Sequence, residues 1–113
     1  MSRPARGEIW FVNFDPTQGR EQAGSRPALV ISVDKFNAGP AELVVVLPVT
    51  TKAKGVPFHV QVDLPEGGLK QWSFIKCEDV RSISTRRLGK RWGRVSPKTM
   101  AAVEDRLKIL LEL

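Results

Sequence analysis

The sequence predicts a mainly β fold, α+β in class: a small antiparallel barrel or sandwich carrying one C-terminal amphipathic helix. Three observations predict it. Gly and Pro punctuate the chain about every 8–12 residues, the rhythm of short strands joined by turns. The runs Ala28 to Val33 and Leu43 to Val49 are rich in β-branched residues and apolar on both faces, as central strands require. Only the last stretch, from Pro97 to about Leu111, carries apolar residues at helical spacing.

The elements follow in order. Glu8 to Phe14 alternates, with Trp10, Val12 and Phe14 on one face and Ile9, Phe11 and Asn13 on the other. Asp15-Pro16-Thr17-Gln18-Gly19 has the chemistry of a turn. Phe58, Val60 and Val62 alternate with His59, Gln61 and Asp63, so this strand is half exposed. Pro65 to Gly68 turns the chain. Trp72 to Cys77 and Val80 to Ser84 read as two further strands, and Trp92 to Val95 as a short last one. Ser96 is placed to cap the helix, and Pro97 suits its first position. Met100, Val103, Leu107, Leu110 and Leu111 form its core stripe, and Glu104 stands four residues before Lys108, the favourable order for a pair.

With 113 residues the chain is one domain, since domains run to roughly 100–200 residues. The single cysteine, Cys77, excludes an internal disulfide and fits a reducing cytoplasm. One Cys and one His cannot build a zinc cage, and no acidic metal cluster or P-loop is present, so no cofactor is expected. No signal peptide is expected, and the longest apolar run, Leu43 to Val49, is far short of the ~20 residues that span a membrane. The 18 Lys and Arg outnumber the 12 Asp and Glu, and a pI near 10.0 points to an anionic partner.

Three stretches carry candidate chemistry. Between Gln18 and Ser32 two glycines bracket a polar loop that enters a buried strand. Arg26 stands at the mouth of that strand, and Pro27 biases it to extended geometry. A planar, permanently charged fork there suits phosphate. In Pro48 to Gly55, Thr50 sits where a buried strand emerges into a loop with Lys52 and Lys54, so its hydroxyl can meet a phosphate oxygen. Arg86, Arg87, Lys90, Arg91, Arg94 and Lys98 fall together without one acid, around Trp92. Phosphate neutralisation beside an aromatic surface suits single-stranded nucleic acid; the plainer reading is a solvated rim with Trp92 in the core. One histidine excludes a two-histidine ribonuclease mechanism. His59 falls on a strand's polar face, with no catalytic role assigned. Cys77, in an apolar strand, reads as a core thiol.

Arg6-Gly7-Glu8-Ile9-Trp10, Asp15-Pro16, Gly19-x-Glu21-Gln22-x-Gly24-x-Arg26-Pro27, Pro48-Val49-Thr50-Thr51 and Cys77-Glu78-x-x-Arg81-x-Ile83 follow one another at specific spacings. Together they resemble the MazF/PemK family of toxin endoribonucleases, over nearly the whole chain, residues 1–113 forming a single toxin domain. The resemblance implies an SH3-like barrel of antiparallel strands and a homodimer. It implies metal-independent cutting of single-stranded RNA at short sequences, and a cognate acidic antitoxin. Arg26 matches the family's acid/base and phosphate-stabilising arginine, and Thr50 the threonine that holds the scissile phosphate. Glu21 and Gln22 match the substrate-contacting loop. A Kid-like branch assigns catalytic roles to an Arg-x-Asp pair and a loop histidine; those positions are here Lys76-x-Glu78 and Arg20.

The base that takes the 2′-OH proton is then Glu21 or Glu78. Arg20, Gln22, Thr51, Lys52, Lys54, Lys76, Arg86 and Arg87 are the expected RNA-binding residues. Two alternatives from other classes are a non-catalytic toxin that poisons DNA gyrase through its C-terminal helix, and an inactive nucleic-acid-binding barrel.

Overall fold

The computed structural model describes residues 3–15 and 24–113. The chain runs β1 (Glu8–Asn13), β2 (Ser25–Val30), α1 (Asp34–Asn37), β3 (Leu43–Thr50), β4 (His59–Val62), β5 (Ser73–Lys76), β6 (Arg81–Ser84), β7 (Leu88–Arg94) and α2 (Pro97–Leu111). All strand pairs are antiparallel. This is the mainly β fold with a C-terminal helix that the patterning predicts. The turn expected over residues 15–19 lies, past Asp15, outside the described residues.

Strand β3 is the hub. Along one edge it pairs β2, and β2 pairs β1, which pairs β7. Its other edge is shared: Leu43 to Val46 pair β6, while Val49 and Thr50 pair β5, which continues to β4. The end of β3 therefore lies between β2 and the β4–β5 ribbon.

Because side chains alternate across a strand, β1, β2 and β3 feed two cores. Ile9, Leu29, Leu47 and Val49 join Val60, Val62, Ile75, Cys77 and Val103 in one. Trp10, Val12, Ala28, Val30, Val44 and Val46 join Phe14 and Ile83 in the other. This explains why these strands are apolar on both faces. Each fully buried Leu, Ile or Val contributes about 1.5–3 kcal/mol relative to exposure.

The helix α2 starts as expected. Ser96 Oγ accepts the Thr99 N–H at 3.2 Å, and Pro97 occupies the first turn. Glu66 adds a second anchor, accepting the Thr99 hydroxyl at 2.7 Å and the Ser96 N–H. Val103 is fully buried, but Leu111 is half exposed, so the apolar stripe fades toward the C-terminus. Glu104 bonds Arg6 of the N-terminal segment.

Two boundaries differ from the pattern. The strand expected from Ala28 to Val33 begins at Ser25 and ends at Val30, after which the chain turns into α1. Ser32 Oγ accepts the Val45 N–H at 2.9 Å and donates to Asn37, so a side chain replaces the ladder there. Strand β7 begins at Leu88, not Trp92. Its pairing with β1 shifts register between Ile9 and Trp10 and again between Trp10 and Val12, which breaks the period-2 pattern. Residues 67–68 press on this strand: Gly68 has φ +72°, and a Cβ there would stand 2.2 Å from the Trp92 carbonyl oxygen.

Candidate functional site

Strands β2 and β3 pair Ala28 with Pro48, Leu29 with Leu47 and Val30 with Val46. Carried two residues further, that register sets Arg26 opposite Thr50. Both line a cleft of about 280 Å³ with Lys52, Lys54, Val56, His59, Lys76 and Glu78. The fork of β3 makes this cleft, because β2 supplies Arg26 on one side and the β4–β5 ribbon supplies His59 and Lys76 on the other.

Thr50 is 5% exposed, and its Oγ1 accepts the Lys52 N–H at 3.2 Å. That bond turns the chain out of β3 and leaves the hydroxyl hydrogen for another acceptor. Four cations, Arg26, Lys52, Lys54 and Lys76, face one carboxylate, Glu78, so the cleft attracts anions. Lys76 Nζ also stands 3.7 Å from Asp79. Glu78 Oε2 meets His59 Nε2 at 2.9 Å.

Of the residues singled out from sequence, Arg26, Thr50, Lys52, Lys54, Lys76 and Glu78 come together here. Arg20, Glu21 and Gln22 lie outside the described residues. Thr51 is exposed beside the cleft. Arg86 and Arg87 line two other depressions, and Arg87 Nη1 donates to the Asn13 carbonyl at 3.1 Å and to that of Asp15, bracing the end of β1. His59 and Val56 are lining residues that the sequence pattern did not mark. A strand's polar face looks alike in sequence whether it meets solvent or a cleft.

The basic run around Trp92 is partly spent within the fold. Arg91 Nε donates to Glu8 at 2.6 Å, with Arg94 3.8 Å from the same oxygen. Trp92 stacks on Phe11, ring centres 5.6 Å apart and planes 7° from parallel, which supports the core reading. Burial pushes the Glu8 carboxyl up, but hydrogen bonds from Trp10, Ala5 and Arg91 and the Arg91 charge outweigh it, leaving the group below its ordinary value. Burial likewise opposes Glu66, yet bonds from Ser96 and Thr99 hold it low. Burial, then the Glu78 charge, push the Cys77 thiol up to about 12, against a smaller opposing effect of Arg106, so it is no nucleophile. Among the described residues, no three His, Cys, Asp or Glu side chains are grouped to hold a metal ion, and no helix is long and apolar enough to cross a membrane.

The family described as "PemK-like, MazF-like toxin of type II toxin-antitoxin system" matches residues 5–111. Endoribonuclease MazF9 of Mycobacterium tuberculosis is 41% identical over 96% of both chains. The crystal structure of MazF from Deinococcus radiodurans superposes with a TM-score of 0.90, at 32% identity, over all of both chains. A MazE-MazF crystal structure from the same organism superposes at 0.82, with 31% identity over 99% of both chains.

Proposed function

The chain belongs to the PemK-like, MazF-like toxin family, endoribonuclease toxins of type II toxin–antitoxin systems, and from that premise we propose that it cuts single-stranded RNA in the Arg26–Thr50 cleft, without metal. The observation that carries this reading is that Arg26 of β2 and Thr50 of the neighbouring β3 line one cation-lined cleft. The gyrase-poisoning and purely binding alternatives draw no support from relatives named as endoribonucleases.

RNA brings its own nucleophile. A base removes the proton from the 2′-OH, the 2′-oxygen bonds to phosphorus, and the bond to the 5′-oxygen breaks as that oxygen takes a proton. The products are a 2′,3′-cyclic phosphate and a 5′-OH. Charge accumulates on the phosphoryl oxygens at the transition state, and preorganised donors stabilise it there most effectively. Arg26 supplies a planar charged fork to those oxygens, and Thr50 supplies a hydroxyl. Lys52, Lys54 and Lys76 hold the flanking phosphates and provide positive charge that a metal ion gives in other nucleases. Of the two candidate bases, Glu78 lies in the cleft; Glu21, with Gln22 and Arg20, belongs to the loop that contacts substrate by the family resemblance. The working unit is a homodimer in the cytoplasm, neutralised by an acidic cognate antitoxin.

The test is incubation of pure protein with long single-stranded RNA in EDTA. Cleavage to cyclic-phosphate ends is expected. Replacing the one ribose 5′ to the cut with deoxyribose abolishes it; unimpaired cutting of that substrate overturns 2′-OH attack.

A further inference from the structure

His59 has no part in the chemistry above, yet it is built into the cleft. It opens β4 with its Cα paired to that of Lys76 on β5, and its side chain is 5% exposed. Nε2 stands 2.9 Å from Glu78 Oε2. Nδ1 is buried and has no hydrogen-bond partner among the described residues, so the ring's one polar contact is with the carboxylate.

An ionised carboxylate only accepts hydrogen bonds. When Glu78 is ionised, as a base must be before it takes a proton, Nε2 carries the hydrogen in this contact and donates it. Glu78 follows the end of β5 and has a side chain 31% exposed; without a donor it is a carboxylate on a short connection, free to choose among rotamers. Buried beneath it, the imidazole holds Oε2 at a set position. A base must stand within about 2.6–3.2 Å of the proton it takes, and misplacement of a group by 1 Å costs about 10²-fold in rate. The surrounding charges are Arg26 from β2, Lys52 and Lys54 from the segment after β3, and Lys76 from β5. Asp79 faces Lys76 and Arg81 instead. From α2, Arg106 donates to the Pro57 carbonyl at 3.1 Å, beside the start of β4.

We propose that His59 is a positioning residue for the cleavage reaction, holding the Glu78 carboxylate where it takes the proton of the 2′-OH. The proposal rests on the cleft being the RNA-cutting site, and it selects Glu78 over Glu21 as the base.

The experiment compares wild type, His59→Gln, His59→Asn, Glu78→Gln and the double variant His59→Asn/Glu78→Gln, using an RNA of known cut site and an uncleavable copy deoxy at that ribose. A glutamine amide reaches the position of Nε2; an asparagine amide is one methylene short. His59→Asn is expected to lose about 10–10²-fold in kcat with little change in affinity for the uncleavable RNA. His59→Gln is expected to remain within about threefold of wild type. Glu78→Gln falls at least as far as His59→Asn, and adding His59→Asn to it changes nothing more. Full activity in Glu78→Gln, or equal losses in the Gln and Asn variants, overturns the His59–Glu78 assignment while leaving RNA cleavage intact. Absence of cleavage by the wild type itself is the distinct failure of the functional reading.

Discussion

Arg91 Nε donates to Glu8 Oε2 at 2.6 Å, tying β7 to β1 across 83 positions of sequence. The other oxygen of Glu8 accepts the Ala5 N–H at 2.8 Å and the Trp10 indole N–H at 3.0 Å, so one buried carboxylate satisfies three donors. Glu8→Ala leaves the buried Trp10 indole N–H and the part-buried Ala5 N–H unpaired and should destabilise by about 1–3 kcal/mol, read as a lower denaturant midpoint at an unchanged m-value.

The same carboxylate sets an acid limit. Glu8 and Glu66 are both lowered from 4.5, so each stabilises the fold fully above that value and loses its contribution as pH falls through the lower, folded value. Melting temperature should be flat from pH 7 to 5 and fall below about pH 4.5. The fall should be shallower in Glu8→Gln than in wild type; equal slopes would show that Glu8 does not govern acid unfolding.

Arg26→Ala should lower cleavage by about 10²-fold or more, the scale of charge-stabilising groups. Thr50→Val keeps the volume and removes the hydroxyl, and should impair turnover as well. Thr50 also receives the Lys52 N–H, so this variant should lose about 1 kcal/mol of stability, while Arg26→Ala should keep its fold. Wild-type rates in folded variants would remove both residues from the site.

Cys77 should resist alkylation by iodoacetamide in the native state and react fully in urea. Its thiol is fully buried and pushed up to about 12, and reaction requires thiolate. Rapid labelling of the folded protein would contradict this placement.

The antitoxin should compete with RNA. A net charge of +6 and a cleft lined by four cations favour an acidic segment, and attraction speeds the encounter. Binding should weaken with salt, as screening limits exposed charges to about 8 Å at physiological ionic strength. Inhibition of cleavage with uncleavable RNA still bound at full affinity would replace groove blocking by a remote mechanism.

The sequence by itself determined the local and patterned features. The two-faced apolar runs specified β2 and β3 as central strands, and Ser96-Pro97 with the Met100–Val103–Leu107 spacing specified α2, because caps and periodicity are properties of neighbouring residues. It also marked Arg26, Thr50, Lys52, Lys54, Lys76 and Glu78 singly, by residue type and by family motif. Only the tertiary structure decided which of these meet. Arg26 and Thr50 are 24 positions apart, and their opposition depends on the β2–β3 register; His59 and Glu78 are 19 apart, and theirs depends on β4 pairing β5. It also decided which cations are spent internally: Arg91 looks like Lys52 in a charge count, but Glu8 on a facing strand holds it. A pairing register is an energy of the whole sheet, set by burying both faces at once, so no single stretch of chain contains it.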